Sequence, residues 1–155
     1  MVTQKSKTDS FSEFVAANEK RIREALTAAC GDDVGRDAAA EALAYGWTHW
    51  DRVAGLANPV GYLYKVGLRR GRRMLSRRLP LYERVDPSRL PEIEPKLPDA
   101  LAQLSERQRT VVVLVHCDGW SQGEVAEQLG LSRSAVRNHL DRCMKSLRAA
   151  LGGVS

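Results

Sequence analysis

Prolines concentrated in one short stretch constrain this chain more than any other feature of its sequence. Five of its six prolines lie within residues 79–98. Proline lacks a backbone N–H and pushes the residue before it toward extended conformations, so this stretch opposes helix formation. The residues on both sides follow helical spacing without strand-like alternation. The sequence therefore predicts an all-α fold, in which a proline-rich linker at 79–98 joins small helical domains at 1–78 and 99–155.

The N-terminal domain is predicted to contain three helices. Asp9 or Ser10 is expected to cap the first helix, and Gly31 is expected to end it. Pro59 suits the first turn of the third helix, because its fixed φ angle favours helix and its missing N–H is not needed there. The predicted helices span roughly residues 11–29, 37–51 and 59–78.

The third predicted helix ends in a cluster of arginines with no acidic residue among them. Such a surface suits a polyanion such as nucleic acid, and the whole chain carries a net charge of +5. A nonspecific electrostatic grip on phosphate is one interpretation of this cluster, and a solvated surface is another. The cluster comprises Arg69, Arg70, Arg72, Arg73, Arg77 and Arg78.

A helix-turn-helix pattern lies near the C-terminus. Ser121, with Glu124 three residues later, predicts a capping box at the start of a short helix. Gly130 is expected to take the left-handed conformation that stops this helix, and Ser132 is expected to cap the next one. A short helix, a glycine turn and a longer capped helix together indicate a DNA-binding motif.

The longer helix of this motif is predicted to have an apolar side and a basic, polar side. Its apolar side comprises Val136, Leu140, Cys143 and Leu147. The major groove of DNA admits an α-helix, where arginine can bind guanine and asparagine can bind adenine. The residues predicted to contact DNA are Arg133, Ser134, Arg137, Asn138 and Arg142, of which Arg142 is better placed for phosphate.

Residues 99–151 resemble the C-terminal domain of bacterial sigma factors of the extracytoplasmic-function group. The resemblance rests on a set of motif positions that includes Leu101, Leu104, Arg109, Ala126, Leu129, Gly130, Ser132, Val136 and Leu140. It implies that the second helix of the motif reads the minus-35 promoter element as part of an RNA polymerase holoenzyme. Arg109 is expected either to contact the DNA backbone or to hold the fold.

Residues 36–78 resemble the other domain of the same family, with Asp37, Glu41 and Trp47 among the anchor positions. The resemblance implies that Asp37 and Glu41 bind the polymerase clamp helices, while the third helix engages and opens the minus-10 element. Aromatic rings can stack on exposed bases, and arginines can follow a single strand. The implied minus-10 residues are Tyr62, Tyr64, Arg69, Arg70, Arg72 and Arg73.

Core packing is the alternative for the aromatic residues of this domain. Helical spacing favours the core for Trp47 and Trp50. For Tyr62 and Tyr64, core packing and base stacking both remain open.

Two other functions compete with the sigma-factor interpretation. A stand-alone transcription regulator with the same motif would need an N-terminal sensor, and no βα alternation precedes the motif. A small nuclease would need clustered acids for a metal or a histidine acid-base pair, and His49, His116 and His139 lie on separate predicted helices. The sequence therefore predicts a protein that is not an enzyme, with no metal and no cofactor.

The expected partners are double-stranded promoter DNA and core RNA polymerase. Two candidates are open for what covers the arginines in the free chain: the other domain, or an inhibitor protein of the anti-sigma type. Cys30, Cys117 and Cys143 fit no disulfide or zinc pattern and are expected to be buried thiols. With no apolar stretch long enough to span a membrane and no signal peptide core, the chain is expected in the cytoplasm.

Overall fold

The computed structural model describes residues 2–76 and 97–152, and every regular element within these ranges is helical. The all-α prediction is confirmed. The predicted linker lies outside the described residues, apart from its last two, which begin a helix. The helices are α1 (Val2–Cys30), α2 (Asp32–Thr48), α3 (Trp50–Val53), α4 (Pro59–Leu75), α5 (Leu97–Ala102), α6 (Glu106–Val112), α7 (Gln122–Leu129) and α8 (Arg133–Ala150), with a π-helical turn (Val113–Cys117) after α6.

Helix α1 begins well before its predicted cap. No glycine or proline interrupts residues 2–30, so the helix runs through Asp9 and Ser10 instead of starting there. The Ser10 hydroxyl instead accepts a hydrogen bond from the Trp50 indole N–H, at 3.2 Å. The prediction of a cap at Asp9 or Ser10 is therefore wrong.

Gly31 ends α1 as predicted, with a φ angle of 87° that favours glycine. The chain then begins α2 at Asp32, earlier than the predicted start at Asp37. Asp32 and Asp33 occupy the first turn, where acidic side chains interact favourably with the helix dipole. A single residue therefore separates α1 from α2.

Helices α1, α2 and α4 pack closely because glycines lie where they cross. A Cβ atom on Gly35 of α2 would stand 2.4 Å from the Thr27 Cα of α1. A Cβ atom on Gly67 of α4 would stand 2.6 Å from the Leu26 Cδ1. A larger side chain at Gly35 would force α1 and α2 apart, whereas one at Gly67 would first displace the end of the Leu26 side chain.

Helix α4 begins as predicted, with Pro59 in its first turn. The Asn58 side-chain oxygen accepts a hydrogen bond from the Gly61 N–H at 3.0 Å and caps the helix. Leu63 and Gly67 lie on its buried face, as expected. The helix ends at Leu75, with Ser76 at its C-terminal cap, and the rest of the predicted extension to Arg78 lies outside the described residues.

The C-terminal helices form the predicted helix-turn-helix. The Ser121 hydroxyl accepts from the Glu124 N–H at 3.1 Å, Gly130 takes a left-handed φ of 68°, and the Ser132 hydroxyl accepts from the Ala135 N–H at 3.0 Å. The capping box is only half formed, because the Glu124 carboxylate reaches across to Arg21, at 3.6 Å. The turn between α7 and α8 is therefore fixed by a glycine and two serine caps.

The N-terminal half (α1–α4) and the C-terminal half (α5–α8) share one buried apolar cluster. Helices α1 and α4 contact α6 and α7. Because this cluster is continuous, the division into two domains stays a prediction. Among the helices within residues 2–76 and 97–152, none is long and apolar enough to cross a membrane.

Candidate nucleic-acid interface

Helix α8 presents the face that the sequence predicted. Its apolar residues at positions 136, 140, 143 and 147 are buried against the fold. Positions 133 and 137 lie about one helical turn apart, as do positions 134 and 138, so the four side chains project from the same side of the helix. Every predicted contact residue on this helix is exposed: Arg133, Ser134, Arg137, Asn138 and Arg142. The helix is thus a rod with one solvent-facing basic and polar side, which has the shape and chemistry for a major groove.

The inner side of α8 is anchored by Cys143. Its thiol is fully buried and donates to the Gln108 carbonyl of α6, at 3.2 Å. Burial raises the pKa of Cys143 to about 11, so the thiol stays protonated at neutral pH. None of the three cysteines forms a disulfide, and among the described residues no group of three or more His, Cys, Asp or Glu could hold a metal ion.

The arginines of α4 point in different directions. Arg69 and Arg73 are exposed and lie one helical turn apart. Arg70 turns toward α2 and pairs with Glu41, at 3.2 Å. Arg72 turns toward the C-terminal half and pairs with Glu106, at 2.6 Å. The predicted cluster is therefore divided: Arg69 and Arg73 face solvent, Arg70 and Arg72 hold carboxylates, and Arg77 and Arg78 lie outside the described residues.

Tyr62 belongs to a polar network on the surface between α2, α3 and α4. Its hydroxyl lies 3.2 Å from the Tyr45 hydroxyl, and Arg52 donates to both oxygens. The shared hydrogen bond lowers the pKa of Tyr45 and raises that of Tyr62, and either hydroxyl can be its donor. The Tyr62 ring is half-buried, with the Arg52 guanidinium 5.9 Å from its centre.

Sequence reasoning missed Tyr45 and Arg52 as members of this site. Tyr45 stands one helical turn after Glu41, so both lie on the same face of α2. That spacing was visible in the sequence, but the contact with Tyr62 depends on how α2 packs against α4. Arg70 ties the two groups together, because its guanidinium lies 5.8 Å from the centre of the Tyr45 ring and pairs with Glu41.

Two aromatic predictions need correction. Tyr64 is only 5% exposed, and burial raises its pKa, so its ring is a core element and is not open to bases. Trp47 was expected in the core but is 36% exposed, with the Lys7 ammonium 5.1 Å from its ring centre. Trp50 is buried as expected. The residues differ because Tyr64 lies where α4 meets α6, whereas Trp47 lies near the outer end of α2.

The two candidate polymerase contacts lie on α2. Asp37 is exposed and Glu41 is half-buried, one turn further along the same face. Ala38 and Ala42, the residues that follow them in the chain, are buried. The helix therefore offers an acidic edge, part of which is neutralised by Arg70.

Arg109 holds the fold. Its side chain is 2% exposed and donates to the Ala29 carbonyl near the end of α1, at 2.9 Å. Burial lowers the pKa of this guanidinium, because desolvation disfavours the charged form. Of the two roles open for Arg109, the structure supports the structural one and leaves the side chain no access to DNA.

Comparison with known proteins gives matches in sequence and in fold. Residues 100–149 match the family described as Sigma-70, region 4. Over 53 residues the chain is 38% identical to the ECF RNA polymerase sigma factor SigL of Mycobacterium tuberculosis, a stretch that makes up 34% of this chain and 30% of that protein. The chain thus spans under a third of that relative's length.

Two solved structures match nearly the whole fold. The sigma factor RpoE of Bartonella quintana, solved in complex with the anti-sigma factor NepR, is 16% identical with a TM-score of 0.60, over 94% of this chain and 99% of that chain. CnrH, solved in complex with the cytosolic domain of CnrY, is 25% identical with a TM-score of 0.59, over 96% of this chain and 91% of that chain.

Proposed function

We propose that the chain is a sigma factor of the extracytoplasmic-function group and that it directs core RNA polymerase to specific promoters, on the support of the region 4 match, the sequence likeness to SigL and the shared fold. The observation that carries the proposal is the solvent-facing side of α8, where arginine, serine and asparagine lie together on a capped helix. The chain supplies sequence recognition, and the polymerase supplies the chemistry of RNA synthesis.

We propose that α8 enters the major groove of the minus-35 element. Arg133, Arg137 and Asn138 lie in its N-terminal half, the part of a recognition helix that contacts base edges. Arginine and asparagine can each make two hydrogen bonds to one base, which gives discrimination between sequences. Arg142 lies further along the helix and would contact phosphate, which positions the helix without reading sequence.

The N-terminal half would bind the polymerase and the minus-10 element. Asp37 and Glu41 on the acidic edge of α2 would bind the clamp helices. Arg69 and Arg73 would follow the phosphates of the opened strand, and the half-buried Tyr62 ring would offer a stacking surface.

An anti-sigma factor is the third partner that we propose. The support is that RpoE, which shares this fold, was solved bound to an anti-sigma factor. Pull-down of a purified inhibitor candidate with the chain, in competition with core polymerase, would test it. Binding that leaves polymerase association undiminished would count against this partner.

Transcription from a promoter library tests the main proposal. The chain is mixed with core RNA polymerase and random promoter sequences, and initiated transcripts are sequenced. Sequence-dependent initiation is expected, and Arg137→Ala should cost about 1–3 kcal/mol and relax the preference at one minus-35 position. Lys145→Ala, an exposed change further along α8, serves as the control and should leave the preferred sequence unchanged.

Two other outcomes of this experiment would indicate different roles. Sequence-specific binding of duplex DNA by the chain alone, with no effect of added polymerase, would favour a stand-alone regulator. A uniform loss across all promoters for Arg137→Ala would instead assign this residue to phosphate contact.

A further inference from the structure

Helix α8 carries a single acidic residue, Asp141, among its eighteen residues. Its other charged side chains are arginines and a lysine, which suit the phosphates of DNA. A carboxylate is repelled by phosphate and gains nothing from contact with the DNA backbone. If Asp141 faces the DNA, its favourable contact must therefore be with a base.

Asp141 lies on the same side of α8 as the proposed base contacts. Successive residues advance by about 100° around an α-helix. Counted from Arg133, positions 137, 141, 134 and 138 therefore stand at about 40°, 80°, 100° and 140°, and the buried positions 136, 140, 143 and 147 lie between about 280° and 340°. Asp141 is exposed and stands between Arg137 and Asn138 around the helix. A groove that receives those two side chains also receives Asp141.

Asp141 also lies within reach of the bases along the helix axis. A rise of about 1.5 Å per residue places its Cα about 4.5 Å beyond that of Asn138, which compares with about 3.4 Å between stacked base pairs. Asp141 is the ninth of the eighteen residues, so it still belongs to the N-terminal half of the recognition helix. Its carboxylate therefore stands about one base pair away from the pair that Asn138 would contact.

The Asp141 carboxylate is available to a donor from outside the chain. Arg137 and Lys145 stand four residues before and after it, a spacing that allows ion pairs on one helix. Within residues 2–76 and 97–152, however, no ion pair involves Asp141. The carboxylate instead lines an open recess of about 340 Å³ together with Asn138, Arg142 and Lys145.

An ionised carboxylate only accepts hydrogen bonds, and this limits the bases that it can bind. In the major groove cytosine presents the N4 amino donor, whereas guanine presents the acceptors N7 and O6 and thymine presents the acceptor O4. Adenine presents an amino donor beside the acceptor N7, which a carboxylate would repel. Cytosine is therefore the base that suits Asp141.

We propose that Asp141 is a specificity-determining residue of α8, which accepts a hydrogen bond from the N4 amino group of one cytosine in the minus-35 element. Guanine and thymine are rejected at this position, because each would place an acceptor against the carboxylate. This inference rests on the proposed function of the chain and adds a base contact to those of the arginines and asparagine.

Transcription from a promoter library by the full chain with core RNA polymerase tests this role. The wild-type chain should prefer cytosine at one minus-35 position by at least about fivefold. Asp141→Ala should abolish that preference, and Asp141→Asn should shift it toward adenine, which asparagine binds through N6 and N7. Glu127→Gln, which removes the same charge from an exposed position on α7, is the control and should leave the preferred sequence unchanged.

A modified base tests the hydrogen bond itself. The preferred cytosine is replaced by 2-pyrimidinone, which lacks the N4 amino group, in a single promoter. Initiation by the wild-type chain should fall by a further factor of about five or more relative to Asp141→Ala. Weaker base pairing affects both proteins equally, so the ratio between them isolates the contact with Asp141.

A wild-type minus-35 preference that Asp141→Ala retains at every position would overturn this role, even if the variant initiates more strongly at all promoters, because loss of repulsion explains a uniform gain. Equal sensitivity of both proteins to 2-pyrimidinone would overturn it as well. Absence of any minus-35 preference in the wild-type chain would instead overturn the proposed function, and the role of Asp141 with it. Circular dichroism and thermal unfolding verify that the variants remain folded.

Discussion

At the scale of single residues, Arg109 shows how one side chain joins distant parts of the chain. Its guanidinium is buried at the end of α1, yet Nη1 has no hydrogen-bond partner among the described residues. Arg109→Ala should lower the free energy of unfolding by about 2–4 kcal/mol, because it leaves a cavity and an unpaired Ala29 carbonyl. Arg109→Met should cost less, since it keeps the volume and removes a desolvated charge.

Urea unfolding followed by circular dichroism measures both changes. Arg107→Ala is the control, because Arg107 is exposed beside Arg109 on the same helix and should alter stability by no more than about 0.5 kcal/mol. An equal loss for Ala and Met at position 109 would mean that the charge itself stabilises the fold.

Cys143 makes stability depend on pH in the alkaline range. Its pKa is raised from 9.0 to about 11 in the folded chain, so between these values the unfolded chain ionises and the folded chain does not. Stability should therefore fall as pH rises from about 9 to 11, and Cys143→Ala should flatten part of that slope. Urea unfolding at pH 8, 9 and 10 measures it; parallel slopes for the two proteins would contradict the assignment.

At the scale of helices, the crossing of α1 and α2 depends on Gly35. Gly35→Ala places a methyl group 2.4 Å from the Thr27 Cα, a backbone atom that cannot move alone, so we expect a loss of about 1–3 kcal/mol. At Gly67 the nearest atom is the end of the Leu26 side chain, which can rotate, so Gly67→Ala should cost less. Thermal and urea unfolding compare the two, and a larger loss at Gly67 would contradict this order.

Helix ends were predictable where their causes are local. Gly31, Gly130, Ser132 and Pro59 act within a turn of their own position, and each behaves as the sequence indicated. The start of α1 was not predictable in this way, because Ser10 is a good cap residue in isolation but lies inside a helix that packs on Trp50. Packing decided between two conformations that the local sequence allows.

The exposed face of α8 was predictable because helical periodicity sorts its residues into inner and outer sets. The network of Tyr45, Arg52 and Tyr62 was not, because it joins three helices. The burial of Tyr64 also depends on a partner helix from the other half. The sequence of a single helix therefore predicts which of its residues face outward, but not which residues of another helix will cover them.

At the scale of the whole molecule, the sequence predicts where the chain divides and leaves open whether its halves meet. The prolines mark residues 79–98 as a break between helical regions. The bond from Trp120 to Glu24 joins residues 96 positions apart, and that from Arg109 to Ala29 joins residues 80 apart. Periodicity and capping carry no information at such separations, so these contacts required the structure.

The shared core leads to a final prediction about cooperativity. Because apolar residues of both halves form one buried cluster and Trp120 is only 7% exposed beside Glu24, loss of either half exposes the core of the other. The chain should therefore unfold in one transition by scanning calorimetry, with equal calorimetric and van't Hoff enthalpies. A variant that combines Glu24→Gln with Glu106→Gln should unfold at a lower temperature or in two steps, since it weakens the contacts between the halves at Trp120 and at Arg72. Two well-separated transitions in the wild-type chain would show that each half holds its fold without the other.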